Sequence, residues 1–263
     1  MKLTGRSPRD TGIVMLGAGA ANIATCILLE KYDFDPGKMI LIDRGGVLHP
    51  ERFDMESMKS SNRWKYEIAL RTNRDGVKGG LREALVDADA LIAASTPGPG
   101  VVKKEDVKLM AKDPIVFALA NPVPEIWPWE AQEAGAAVVA TGRSDLPNQV
   151  NNSLIFPSVF RGALDCSARQ ITYETMISSA VELARCAEEK GLSPNYIIPT
   201  MEEWMVFPRV AAAVADSLSR EGLARRKVSY QEELGLAQEI IMRARQTLKA
   251  LVDSRIVVEP SEA

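Results

Sequence analysis

The sequence predicts an α/β fold, a doubly wound parallel sheet followed by C-terminal helices. Three observations predict it. Short apolar runs of strand length alternate with helical patterns up to Thr141. Those runs are continuous rather than alternating in polarity, as in strands covered on both faces. A glycine-rich turn joins the first run to the first helical pattern.

Residues 12–16 form the first expected strand. Residues 20–31 follow as a helix, with Ile23, Ile27 and Leu28 on one face. Residues 39–43, rich in Ile and Leu, are the second strand, and 55–71 and 80–87 read as helices. Residues 90–94, 115–119 and 137–141 are three further strands, with helices at 104–110 and 127–134 between them. Such parallel crossovers are right-handed. Beyond Thr141 the strand signal stops. Met176, Ile177, Ala180, Val181 and Ala184 carry helical spacing over 172–190, and Val210, Ala213, Val214 and Leu218 carry it over 208–221. Ser229 with Glu232 forms a capping-box pattern. It opens a last helix with the stripe Leu234, Ala237, Ile241, Ala244, Leu248 and Leu251. That stripe suits either the domain's own core or an apolar partner face. The polar stretch 225–229 reads as a linker, so the expected domains are residues 1–226 and a helical extension, 227–263.

Composition narrows the function classes. Of 263 residues, 46% are hydrophobic and 25% charged, ordinary for a globular chain. A net charge of −3 provides no overall basic field for nucleic acid or an anionic membrane. The apolar runs are too short to span a bilayer, and the N-terminus lacks the apolar core of a signal peptide. Cys26, Cys166 and Cys186 show no paired spacing, which predicts buried free thiols and a reducing, cytoplasmic location. A single histidine, His49, argues against a His-rich metal site or a His-based triad.

The turn reads Gly17-Ala18-Gly19-Ala20-Ala21-Asn22. The first glycine permits the tight turn, and the second lets the backbone approach a pyrophosphate seated at the helix N-terminus. Asn22 stands where a third glycine or alanine is usual. Asp43 closes the second strand 24 residues beyond Gly19, where an acid accepts from an adenine ribose. That acid favours NAD, whereas Arg44 beside it suits the 2′-phosphate of NADP. Together these features predict a Rossmann-like dinucleotide site. Ser95 and Thr96 begin a Pro/Gly loop after another strand, on the side where open α/β sheets bind ligands. As a rigid turn the same loop needs no ligand. Asn121 ends a strand in Ala120-Asn121-Pro122-Val123-Pro124-Glu125, and Asn151 and Asn152 close the irregular loop from Gly142. Their amides suit a carboxylate or carboxamide without adding charge, but asparagines also form turns.

These stretches resemble the malic enzyme family, in particular its short prokaryotic and archaeal-like form. The resemblance is carried by the glycine turn, Asp43-Arg44-Gly45-Gly46-Val47, Lys112-Asp113-Pro114-Ile115-Val116-Phe117, the asparagine segments, and Ile155-Phe156-Pro157-Ser158-Val159-Phe160-Arg161-Gly162-Ala163-Leu164-Asp165. It covers residues 3–226 and departs at Asn22, Leu146 and Ile155. It implies oxidative decarboxylation of malate to pyruvate with NAD (or NADP) and a divalent Mg or Mn. Gly17, Gly19, Ala20, Ala21 and Asn22 would hold the pyrophosphate and Asp43 the ribose, with Arg44 beside it for a 2′-phosphate. Asn121 would sit near the nicotinamide and, with one of Asn151 and Asn152 (Asn152 before Asn151), would bind the substrate carboxylate; Ser95 and Thr96 join the cofactor contacts by their place after a strand. The family carries its tyrosine, lysine and most metal ligands in a domain ahead of the glycine turn. Here the sixteen residues before Gly17 hold one carboxylate, Asp10, and no tyrosine. The expectation is therefore a chain without that catalytic half and with no catalytic residue or metal ligand of its own. Such a chain binds NAD and turns malate over negligibly. It is a truncated piece, one subunit of a split enzyme, or a stand-alone dinucleotide-binding module with a sensing or scaffolding role. The family also implies oligomers, either of this chain or with a partner that carries the catalytic half.

Overall fold

The structure, a computed structural model, describes residues 2–258. They form two compact units, residues 2–151 with 187–198, and residues 152–186 with 199–258. The boundary expected after residue 226 falls inside the second unit.

In the first unit, β1 is Ile13–Leu16, α1 Ala20–Lys31, β2 Met39–Asp43, β3 Gly46–Val47, α2 Met55–Ser61, α3 Arg63–Arg71 and α4 Leu81–Leu85. Then follow β4 Ala90–Ala93, α5 Lys104–Val107, β5 Ile115–Ala118, α6 Pro128–Glu133 and β6 Val138–Thr141. The six strands form one sheet in the order β3-β2-β1-β4-β5-β6. All pairings are parallel except β2 with β3, where Asp43 faces Gly46 across a tight hairpin. The chain moves outward in one direction through β2 and in the other through β4. The gap between the carboxyl ends of β1 and β4 is therefore a topological switch point, where ligands of open α/β sheets bind.

Why the strands are apolar throughout is visible in their register. Successive side chains point to opposite faces. Val14, Leu91 and Val116 enter a core shared with Leu85 of α4, Val107 of α5 and Ala131 of α6. Ile13, Met15 and Leu41 enter another, with Ile23 and Cys26 of α1, Met58 of α2 and Ile68 of α3. Both faces are covered, so polar side chains stand only at the carboxyl ends of strands, Asp43 in β2 and Thr141 in β6. All three cysteines are free and buried, and burial pushes the Cys26 thiol up to about 12.

The second unit holds α7 Phe156–Asp165, most of α8 Tyr173–Lys190, α9 Val206–Arg220 and α10 Tyr230–Asp253. Helix α7 packs on α9 around Val159, Cys166, Val214 and Leu218. A Cβ on Gly162 would collide with the Ala211 carbonyl, so the two helix backbones approach there only because the residue is glycine. The capping box of α10 forms as its sequence predicts, with Ser229 Oγ accepting from the Glu232 amide and the Glu232 carboxylate accepting from the Ser229 amide.

Four differences from the sequence reading have local causes. The helix expected over 55–71 is broken at Asn62, whose side chain accepts from the Lys65 amide and caps α3 separately. Strand β3 has two residues, too few to leave a pattern. The segment 156–165, read only as a family motif, is helix α7, with a proline in its first turn. The expected linker is packed into the second unit. There the Arg226 amide donates to the Cys166 carbonyl and Val228 is buried. Of the α10 stripe, Ala237 is buried, while Leu248 is 57% exposed. Among the described residues no helix is long and apolar enough to cross a membrane.

Candidate functional site

The candidate site is the row of strand ends on the carboxyl side of the sheet. It begins at the β1–α1 turn. Gly17 has φ +96, and a Cβ there would collide with the Ala94 carbonyl at the end of β4. The amides of Gly17 and Ala18 both donate to the Ile42 carbonyl at 2.9 Å. The turn is thus clamped between its two neighbouring strands. Gly19 is the N-cap of α1, and no side chain caps that end. Gly19, Ala20 and Ala21 are exposed, the first turn carries no acid, and a Cβ on Gly19 would meet no atom within 4 Å. Open, uncapped helix amides with the positive end of the helix dipole fit a pyrophosphate.

Asn22 has a different role from the expected cofactor contact. It is 1% exposed, and its Nδ2 donates to the Leu16 and Ile92 carbonyls at 3.0 and 3.3 Å. It ties β1 to β4 below the turn. An amide that bridges two carbonyls does work that a third glycine cannot.

Asp43 ends β2 under three donors. Oδ1 accepts from Arg52 at 2.9 Å and the Gly45 amide at 2.8 Å, and Oδ2 accepts from Lys65 at 2.8 Å. Burial acts to raise its pKa, but Lys65, Arg52 and the Gly45 amide outweigh it and hold the carboxyl below its usual range. The carboxylate stays ionised and keeps acceptor capacity for a hydroxyl. Arg44 beside it is exposed and makes no ion pair or hydrogen bond among the described residues.

The row continues across β4, β5 and β6. Ser95 follows β4 and Thr96 beyond it is exposed. Glu125 is fully buried and accepts from the Ser95 amide at 2.8 Å, Ser95 Oγ at 3.0 Å and the Ala120 amide at 3.1 Å. Asn121, exposed and joined to Pro122 by a cis peptide, lies directly over Gly142 at the end of β6. A Cβ on Gly142 would come within 2.7 Å of Asn121 Nδ2. Asn151 Nδ2 donates to the Gly142 carbonyl at 3.3 Å. The structure therefore brings Asn121 and Asn151 together on one glycine. Asn152 belongs to the second unit, where it is exposed and opens the 3-10 turn Asn152–Leu154.

Two residues of this row, Glu125 and Gly142, escape a reading by motif. For Glu125 the available signal is its setting, a lone carboxylate between Pro124 and Ile126, which predicts burial with partners. For Gly142 no signal exists, because its role depends on an asparagine from a neighbouring strand. Among the described residues no three His, Cys, Asp or Glu side chains gather closely enough to hold a metal ion.

A family model described as "Malic enzyme, NAD binding domain" matches residues 1–219. The chain belongs to the malic enzyme family. It is 44% identical over 232 residues to the bifunctional malic/malolactic enzyme of Bacillus subtilis, covering 88% of this chain and 54% of that protein. It is 37% identical over 241 residues to an NADP-dependent malic enzyme of Halomonas elongata, covering 86% of this chain and 54% of that one. The crystal structure of Entamoeba histolytica malic enzyme superposes with a TM-score of 0.94 at 43% identity, over 98% of this chain and 53% of that chain. The chain thus spans about half the length of each of these three proteins. Within the family, the row of strand ends belongs to a dinucleotide-binding domain.

Proposed function

We propose that this chain is the NAD(P)-binding and substrate-contributing part of a malic enzyme, which oxidises and decarboxylates malate to pyruvate and carbon dioxide. The observation that carries the reading is the meeting of Asn121 and Asn151 at Gly142, in the same row of strand ends as the Gly17 turn. A dinucleotide binder alone has no need of a second amide cluster there.

In this reading the amides at the start of α1 hold the pyrophosphate, and Asp43 accepts from ribose hydroxyls while Lys65 and Arg52 keep it ionised. Ser95 and Thr96 form one side of the nicotinamide cleft and Asn121 the other. When bound, the nicotinamide accepts a hydride. Asn121 and Asn151 orient carboxylate and carboxamide groups by donating neutral N–H groups, which leaves a malate dianion's charge for other groups to balance. We place the acid, the base and the Mg or Mn ligands outside the described residues, on another segment or a partner subunit. Arg44 next to Asp43 leaves both NAD and NADP as cofactors of this reading.

Calorimetric titration with NADH tests it. Saturable binding at one site per chain is expected, lost in Gly17→Val. A wild-type chain that binds neither NADH nor NADPH would remove the proposal. A second test is malate oxidation with Mn, for which the chain alone is expected to show no NADH production.

A further inference from the structure

We infer that Glu125 is a positioning residue of the nicotinamide cleft, one that sets the distance between the Ser95 loop and Asn121 by holding both from beneath. This rests on the dinucleotide reading of the strand ends.

The loops in question leave adjacent parallel strands, β4 and β5, whose last residues Ala93 and Ala118 are register partners. Above that pair the chains diverge, and regular sheet bonding ends with the Leu119 amide on the Ala93 carbonyl. Glu125 then takes over. Its Oε1 accepts from the amide and hydroxyl of Ser95, and its Oε2 from the amide of Ala120, the residue before Asn121. Its backbone carbonyl accepts from the amides of Gly100 at 3.2 Å and Val102 at 3.1 Å, which fixes the far end of the same loop. One residue thus anchors the loop that presents Ser95 and Thr96 at both its ends, and the base of Asn121 as well.

The chemistry of the contact requires a carboxylate. Glu125 meets three donors and no acceptor, and only a group with two acceptor oxygens serves donors on both sides. Glutamine replaces one oxygen with an NH2 group. In either orientation that group faces an N–H, and one backbone amide, of Ser95 or of Ala120, loses its acceptor. Aspartate keeps both oxygens but is one methylene too short to reach both loops. Glu125 is fully buried beneath the cleft, so it acts through Ser95 and Asn121 and touches no ligand itself. The α1 amides and Asp43, which would hold the other half of the dinucleotide, make no hydrogen bond to it among the described residues.

The test separates the two halves of the cofactor. NADH and ADP-ribose are titrated by calorimetry into the wild-type chain, Glu125→Gln and Glu125→Asp, with circular dichroism as the check on folding. Losing one buried hydrogen bond corresponds to weakening of NADH by about tenfold. Because ADP-ribose lacks the nicotinamide, its affinity is expected to stay within about twofold of wild type. If Glu125→Gln does not fold, Glu125→Asp carries the same expectation, since it keeps the charge and loses only reach. Equal loss of both ligands, or NADH binding unchanged in a folded variant, would overturn the positioning role. A wild-type chain that binds neither ligand would instead overturn the dinucleotide reading.

Discussion

Glu125 in the first unit and Glu233 in the second are both fully buried, and their surroundings are opposite. Glu125 is met by three donors. Neither oxygen of Glu233, in the first turns of α10, meets a donor. Its charged neighbours are Asp165 and Arg161 of α7 and Arg226 from the segment before α10. Arg161 donates to both oxygens of Asp165. Burial and then Asp165 push the Glu233 carboxyl up to about 8, so at neutral pH it carries a proton that it can donate to Asp165. Its charge in turn opposes ionisation of the Cys166 thiol, which burial already raises. The contrast shows that a buried carboxylate survives in two ways. It can collect donors, as at a site whose loops must be held in place, or give up its charge, as in a helical core.

The strongest way to break this comparison is to attack the clamped strand ends. Gly17→Ala brings both a disfavoured positive φ and a collision with the Ala94 carbonyl. The expected loss is about 3–5 kcal/mol by urea unfolding, together with loss of NADH binding. A variant of wild-type stability would show that β1 and β4 are not locked at this turn.

In the helical unit, Gly162→Ala forces a methyl group between α7 and α9. Overpacking of this kind is expected to cost about 2–3 kcal/mol. The same denaturation experiment checks it, and a neutral result would mean that the two helices slide apart freely.

Glu233→Gln sharpens the comparison through pH. The folded-state value lies above the unfolded one, so the stability Glu233 contributes is fully present below pH 4.5 and is lost as pH rises through about 8. The neutral isostere can still donate to Asp165 and escapes that loss. It is expected to be more stable than wild type by about 1–2 kcal/mol at pH 9 and equal to it near pH 4. A difference that does not change with pH would mean that Glu233 does not hold the proton.

The smallest effect belongs to the α10 capping box. Ser229→Ala is expected to cost about 1 kcal/mol in thermal unfolding, without any change in NADH binding.

Much of this was legible in the chain itself. The five longer strands, the Gly17 turn, the acid at the end of β2 and the Ser229 cap depend on residues close in sequence, and so local patterns determined them. The same holds for α1, which begins and ends where its periodicity predicts. Asn62, which splits one expected helix into two, is a local effect of the opposite sort, because its cap competes with continued helix and wins. Other features were decided only by tertiary structure. The sheet order set β1 beside β4 and created the switch point. Packing turned Asn22 from an expected ligand contact into a brace between strands, and seated Asn121 on Gly142. It also gave Glu125 the two donors of Ser95 from 30 residues away while leaving Glu233 with none. The physical reason is common to all of them. Backbone pattern depends on neighbours along the chain, whereas the charge, solvation and hydrogen-bond partners of a buried group depend on residues that only folding brings to it.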